Sequence, residues 1–118
     1  MSPVTTLSLG RIAAGLGAYV DPKLAGKVFG LDAVTSPQAP YVARLFAVRE
    51  VALGAVTLLA TGRARRPVLM IGIAVDLADT ATAVLGVRDR TVPPRGGAML
   101  IVPAVAAVVA GAAGLRKR

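Results

Sequence analysis

The sequence predicts an all-α fold: a bundle of four transmembrane helices with a short interfacial helix after the first. Hydrophobic residues make up 55% of the 118 residues, and the mean hydropathy is +0.69. A soluble domain of this size is normally more polar. The polar residues are gathered into short connections between four apolar segments, at about residues 4–20, 41–61, 67–87 and 98–115. This alternation is typical of membrane-spanning helices in a single domain.

The third segment, PVLMIGIAVDLADTATAVLGV, has the length of a complete membrane span. As a helix its 21 residues extend about 31 Å, which matches a hydrocarbon core of about 30 Å. Its only charged residues, Asp76 and Asp79, lie near the middle and on the same helix face. Two carboxylates at that depth are costly unless they face protein, water or a cation. The rest of the chain should therefore supply a shielded polar interior.

The first segment is expected to end at Asp21-Pro22, because a residue before proline is pushed out of the α region. Gly10, Ala14 and Gly17 place small side chains along one face, a pattern that favours close approach of another helix. The next residues, 23–29 (KLAGKVF), alternate apolar side chains with two lysines and predict the short interfacial helix. Gly30 should end it.

The second and fourth segments differ in polarity. The second, YVARLFAVREVALGAVTLLAT, carries Arg44, Arg49 and Glu50, and a short basic loop with RARR follows it. The fourth, AMLIVPAVAAVVAGAAGL, has no charge. The basic loop and the basic C-terminus lie on the same side in a four-span topology, so we expect both termini in the cytoplasm.

Four residues form the candidate site, either a ligand-binding site or a buried ion-pair network: Arg49, Glu50, Asp76 and Asp79. The second and third segments are joined by a short loop, so they should be antiparallel neighbours with Arg49 and Asp79 at the same level. Arg49 and Glu50 are adjacent and point about 100° apart, so they cannot face the same helix. Arg11 and Arg44 are possible outer members, and Arg11 can either snorkel to the headgroups or reach inward to a carboxylate.

The cluster has a structural and a functional interpretation. It can be a set of ion pairs that fixes helix register, or a ligand or proton site within the bundle. Three carboxylates against one clearly deep arginine favour the second, because a leftover carboxylate must be neutral or bound to something.

Several classes of chemistry are excluded by composition. The chain has no cysteine and no histidine, which removes disulfides, thiolate chemistry, histidine-ligated haem and ordinary zinc sites. The D-x-x-D spacing of Asp76 and Asp79 is similar to magnesium-binding motifs of isoprenoid enzymes, but no second acidic motif accompanies it. We therefore expect no metal and no cofactor.

The net charge of +8 does not indicate nucleic-acid binding, because aromatic residues make up only 3% and no helix carries a basic stripe. Most of the basic residues instead lie at segment ends, where anionic lipid headgroups would meet them. The expected partners are membrane lipids and, through small-residue helix faces, a second copy of the chain.

Two runs resemble a known family: ARLFAVREVALG at residues 43–54 and AVDLADTATAVLG at residues 74–86. They are similar to the R-E-x-A-L-G and V-D-x-A-D runs of small, uncharacterised four-helix integral membrane proteins of high-GC bacteria. LGRIAAGLGAYVDPKLAGKVFGLD, at residues 9–32, also resembles the start of that family. The resemblance implies a four-helix membrane bundle with recurring charges at Arg49, Glu50, Asp76 and Asp79. It implies no activity.

The leading functional hypothesis is a multi-pass protein of the cell membrane, not an enzyme, that binds a small lipophilic or cationic ligand or a membrane partner at the charged cluster. Two alternatives stay open. One is a membrane-embedded enzyme that uses Glu50, Asp76 or Asp79 for acid/base chemistry on a lipophilic substrate. The other is a proton-coupled small transporter.

Overall fold

The computed structural model describes residues 2–32 and 34–116, and over these residues the predicted all-α class is confirmed. Five α-helices and one 3₁₀ turn make up the described fold. They are α1 (Pro3–Val20), α2 (Pro22–Val28), α3 (Ala39–Leu59), the 3₁₀ turn (Gly62–Ala64), α4 (Arg65–Arg88) and α5 (Pro94–Arg116). Lys117 and Arg118, which complete the basic C-terminus of the sequence, lie outside the described residues.

The helix ends follow local chemistry that is visible in the sequence. Ser2 begins α1 by accepting a hydrogen bond from the backbone N–H of Thr5, at 3.1 Å. Asp21 ends α1 and caps α2, where its carboxylate accepts from the N–H of Leu24 at 3.2 Å. Gly30 follows α2 with a φ of +79°, a conformation that glycine adopts without strain. The predicted break at Asp21-Pro22 and the stop at Gly30 are confirmed.

The four long helices form two antiparallel pairs, α1 with α3 and α4 with α5, each packed along its length. The α1–α3 pair is close because glycine on each helix faces the backbone of the other. A Cβ on Gly15 would lie 2.7 Å from the carbonyl oxygen of Ala47, and a Cβ on Gly54 would lie 2.7 Å from that of Ser8. The face with Gly10 and Gly17 does not take part in this packing, because nothing in the chain lies within 4 Å of a Cβ placed on either glycine. Close approach of a second copy of the chain to that face stays a prediction.

The two pairs meet over a smaller contact, made mainly between α1 and α5 and, to a lesser extent, between α3 and α4. The second and third segments are antiparallel and joined by a short loop, as expected. They are not, however, each other's main packing partner. Instead α3 packs mainly against α1 and α4 mainly against α5, which leaves a cleft between the pairs.

The burial pattern is the reverse of that in a soluble bundle. The buried apolar residues are mostly alanines, whereas Ser8, Arg11, Glu50, Thr57 and Asp76 are all less than 9% exposed. Large apolar side chains instead lie on the outside of all four long helices, among them Leu16, Leu45, Leu59, Ile71, Leu77, Val102 and Val109. An apolar exterior of this extent indicates a nonaqueous or protein environment.

Two helical stretches are long and apolar enough to cross a membrane, Gly62–Arg88 and Pro94–Arg116. Helices α1 and α3 are not among these candidates; charged residues interrupt both, Arg11 in α1 and Arg44, Arg49 and Glu50 in α3. By length and composition alone, residues 2–32 and 34–116 therefore contain two candidate spans.

Candidate functional site

Arg11 lies at the centre of a buried ion-pair network that joins three helices. Its Nη1 donates to Oε2 of Glu50 on α3 at 2.9 Å, and its Nη2 donates to Oδ2 of Asp76 on α4. The three residues are only 8%, 7% and 3% exposed. Because α1 and α3 belong to one helix pair and α4 to the other, the Arg11–Asp76 bond crosses the cleft between the pairs.

A second ion pair crosses the same cleft. Arg49 on α3 holds Asp79 on α4 with two hydrogen bonds, from Nη1 at 3.1 Å and from Nη2 at 2.7 Å. This is the pair that matching helix levels predicted from the sequence. The Nη2 of Arg49 also lies 3.5 Å from Oε1 of Glu50, which links the two ion pairs into one network.

The adjacent residues Arg49 and Glu50 face different helices, as the helical angle between them requires. Glu50 points to α1 and is nearly buried, while Arg49 points to α4 with 40% of its side chain exposed. One step along α3 therefore places the positive charge on the side that faces α4 and the negative charge on the side that faces α1.

Two expectations about the outer members change. Arg11, expected at the edge of the cluster, is its centre, because it reaches inward instead of snorkelling. Arg44 is outside the cluster: it is exposed, donates from Nε to the carbonyl oxygen of Tyr19 at 3.1 Å and lies over the Tyr19 ring. Arg44 lies in the first turns of α3, and its long side chain reaches Tyr19 at the end of α1.

The network holds two guanidinium groups and three carboxylates, a formal excess of one negative charge. The sequence suggested a larger excess, with only Arg49 deep in the bundle. With Arg11 counted as well, the excess falls from two negative charges to one. An uncompensated charge inside an apolar bundle is costly, so the network has room for one more positive charge.

An apolar cavity of about 720 Å³ opens from the cleft, and its floor is the network. Arg11, Glu50, Asp76 and Asp79 all line it. Its other walls come from α1 and α5, with alanines, Leu7, Met99, Leu100 and Pro103, and from the rings of Phe29 and Phe46. The volume lies within the usual range for small-molecule sites, and so does the combination of apolar walls with a few polar groups.

A second cavity of about 500 Å³ adjoins the first, towards α2. Both cavities are lined by Phe29, Phe46, Asp79 and Leu100, whereas Arg49 lines only the second. The two phenylalanine rings stand edge to face with centroids 5.9 Å apart. Asp79 and the phenylalanines therefore lie where the two cavities meet.

The phenylalanines are the site residues that sequence reasoning missed. Phe46 precedes Arg49 by three residues, so both lie on one face of α3, and the Arg49 guanidinium carbon is 5.0 Å from the Phe46 ring centroid. That spacing would have allowed Phe46 to be assigned to the site from the sequence. Phe29 could not be placed from the sequence, because its position depends on how α2 folds back against α3.

The D-x-x-D carboxylates do not converge on one point. Asp76 is held by Arg11 and Asp79 by Arg49, so the two acids serve different guanidinium groups. Across residues 2–32 and 34–116, no three acidic side chains are grouped so that they could hold a metal ion. The arrangement favours recognition of an organic or monovalent cation over magnesium.

Comparisons with known proteins add no assignment. No protein-family model matches the chain, and no curated protein or solved structure is similar to it.

Proposed function

We propose that the protein is a four-span integral membrane protein that binds a small lipophilic cation in the cavity between its helix pairs. The observation that carries this proposal is the position of the network. Arg11 and three carboxylates form the floor of an apolar cavity, and the network that they make with Arg49 has a formal excess of one negative charge. A ligand with an apolar body and a single positive charge complements both features.

The membrane assignment rests on the apolar exterior of all four long helices, not only on the two candidate spans. Helices α1 and α3 have 18 and 21 residues, so they extend about 27 Å and about 31 Å, close to a hydrocarbon core of about 30 Å. Arg11, Glu50 and most of Arg49 turn away from the exterior. These three charges therefore do not oppose insertion. Arg44 is exposed but lies near the start of α3, where its side chain contacts Tyr19 at the end of α1.

The orientation proposal rests on an asymmetry of charge. Leu69 of α4 approaches Gly114 of α5, so the start of α4 and the end of α5 lie at one end of the bundle. This end carries Arg63, Arg65, Arg66 and Arg116. With Lys117 and Arg118, which follow in the sequence, the count is six Lys/Arg, against five in the opposite connections: Lys23, Lys27, Arg88, Arg90 and Arg95. Under the positive-inside rule this end, with both termini, lies in the cytoplasm.

The family resemblance, to small four-helix membrane proteins of high-GC bacteria, supports the same architecture and stays a prediction. Association with a second copy of the chain is likewise a prediction. A transporter would need a cation site of the kind proposed here, whereas acid/base catalysis would need a carboxylate free to exchange a proton, and all three carboxylates are paired with arginines. The described geometry therefore supports binding more directly than catalysis.

The test is equilibrium binding to the purified protein in detergent, with two probes of the same shape and opposite charge. Tetraphenylphosphonium should bind saturably with one site per protein chain, and tetraphenylborate should not. Asp76→Asn, Asp79→Asn and Glu50→Gln should each weaken cation binding. Asp89→Asn, in the exposed loop after α4, is the matched control and should leave it unchanged. Equal binding of both probes, or equal effects of all four substitutions, would overturn the proposal.

A further inference from the structure

We propose that the positive group of the ligand binds between Asp79 and Phe46, the place that the guanidinium of Arg49 occupies in this structure, and that Arg49 is a tethered competitor of the ligand. This inference rests on the proposed cation binding. It adds which carboxylate receives the ligand and which residue controls its access.

Arg49 makes the two contacts that an organic cation would make. Its guanidinium is held by both oxygens of Asp79, at 3.1 and 2.7 Å, and its central carbon lies 5.0 Å from the Phe46 ring centroid. A carboxylate together with an aromatic face is the usual combination for binding ammonium and related cations. The site is therefore complete, and a side chain of the protein fills it.

Asp79 is a better receptor than Asp76. The Asp76 side chain is 5% exposed, and its partner Arg11 is buried and tied to Glu50 as well. Asp79 is 18% exposed and lines both cavities, so a ligand reaches it without breaking the buried part of the network. Of the two ion pairs, only the one at Asp79 is open to exchange.

Arg49 also has an alternative ion-pair partner, Glu50. Its side chain is 40% exposed, and Oε1 of Glu50 already lies 3.5 Å from its Nη2. Its Nε is buried and has no hydrogen-bond partner among the described residues, so its present position does not satisfy all its donors. If Arg49 moves to Glu50, Arg11 keeps Asp76 and the ligand takes Asp79. Each of the three carboxylates then has one cation.

The two cavities accommodate the rest of such a ligand. They measure about 720 and 500 Å³ and meet at Asp79, Phe29, Phe46 and Leu100. Apolar groups attached to the positive centre can extend into either side. A compact inorganic cation would leave both cavities unfilled, so the site fits a bulky organic cation better.

The experiment is the binding of tetraphenylphosphonium to purified variants, read by titration calorimetry and by the shift in melting temperature that saturating probe produces. Arg49→Gln removes the competitor and should tighten binding at least tenfold, because the fraction of free Asp79 rises. Arg44→Gln removes an exposed arginine of the same helix and should have no effect. Asp79→Asn should weaken binding at least tenfold, and Phe46→Leu severalfold.

Arg49→Lys covers the case in which Arg49→Gln does not fold. Lysine keeps the charge but cannot hold both carboxylate oxygens in a fork, so its binding should fall between wild type and Arg49→Gln. Unchanged or weaker binding in both Arg49 variants would overturn the competitor role. If Asp76→Asn abolishes binding and Asp79→Asn does not, this inference fails while the proposed function stands. If wild type and every variant fail to bind, both fail.

Discussion

Arg11 of α1 and Asp76 of α4 are 65 residues apart in sequence, and their ion pair joins the two halves of the bundle. Each half is a helix pair with its own close packing, and apolar contact between the halves is modest. The cleft left by this modest contact forms the cavity, and the ion pairs that cross it hold the halves together.

Removal of Arg11 should therefore destabilise the protein more than removal of any exposed arginine. Arg11→Gln would leave Asp76 buried without a cation and Glu50 with only the more distant Arg49, a loss of about 3–5 kcal/mol in the free energy of unfolding. Thermal unfolding in detergent measures it, with Arg44→Gln as the matched control because Arg44 is exposed and contacts only the end of α1. Equal melting temperatures for the two variants would contradict the central position of Arg11.

The two aspartates of α4 should respond differently to the same substitution. Asp76→Asn should lower the melting temperature sharply, because Asp76 is buried and balances an enclosed guanidinium. Asp79→Asn should lower it less, since Asp79 and Arg49 are partly exposed and Arg49 has Glu50 nearby. The same unfolding assay compares them. A larger loss for Asp79→Asn would show that the outer ion pair, and not the inner one, carries the structural role.

Two glycines of α1 provide a test of the helix pairing. Gly15→Ala places a methyl group 2.7 Å from a backbone oxygen of α3, so the helices must separate, at about 1–3 kcal/mol. Gly10→Ala meets nothing within 4 Å and removes a weak helix former, so stability should stay equal or rise by about 0.5–1 kcal/mol. Denaturation of both variants in one detergent gives the comparison. If Gly10→Ala lowers the stability as much as Gly15→Ala does, the packing of α3 against the Gly15 face of α1 is contradicted.

The sequence predicted the parts of this structure that depend on local chemistry. Asp21-Pro22 and Gly30 break helices through their own backbone preferences, and they do so in the structure. The Arg49–Asp79 pair was also predictable, because a short loop fixes the levels of the helices on either side of it. Arg49 and Glu50 diverge for a reason that depends on helical geometry alone.

What the sequence left open depended on which helix packs against which. The small-residue face at Gly10 and Gly17 was as plausible as Gly15, because nothing in the sequence states that Gly15 faces the backbone of α3. Arg11 was equally free to snorkel or to turn inward until its neighbour was known to carry Glu50 at the same level. Phe29 enters the site through the fold of α2, which involves residues distant in sequence.

The central claim is that the charged network lies inside a membrane, which requires α1 and α3 to span it as well as α4 and α5. The chain has no cysteine, so single cysteines report their side of the membrane without background. Thr35, in the exposed connection between α2 and α3, distinguishes the topologies, with Ala64 and Thr91 as references for the two ends. A membrane-impermeant maleimide applied to sealed inside-out vesicles should label Ala64→Cys but neither Thr35→Cys nor Thr91→Cys. Labelling of Thr35→Cys together with Ala64→Cys would contradict the account, because α1 and α3 would then not cross the membrane.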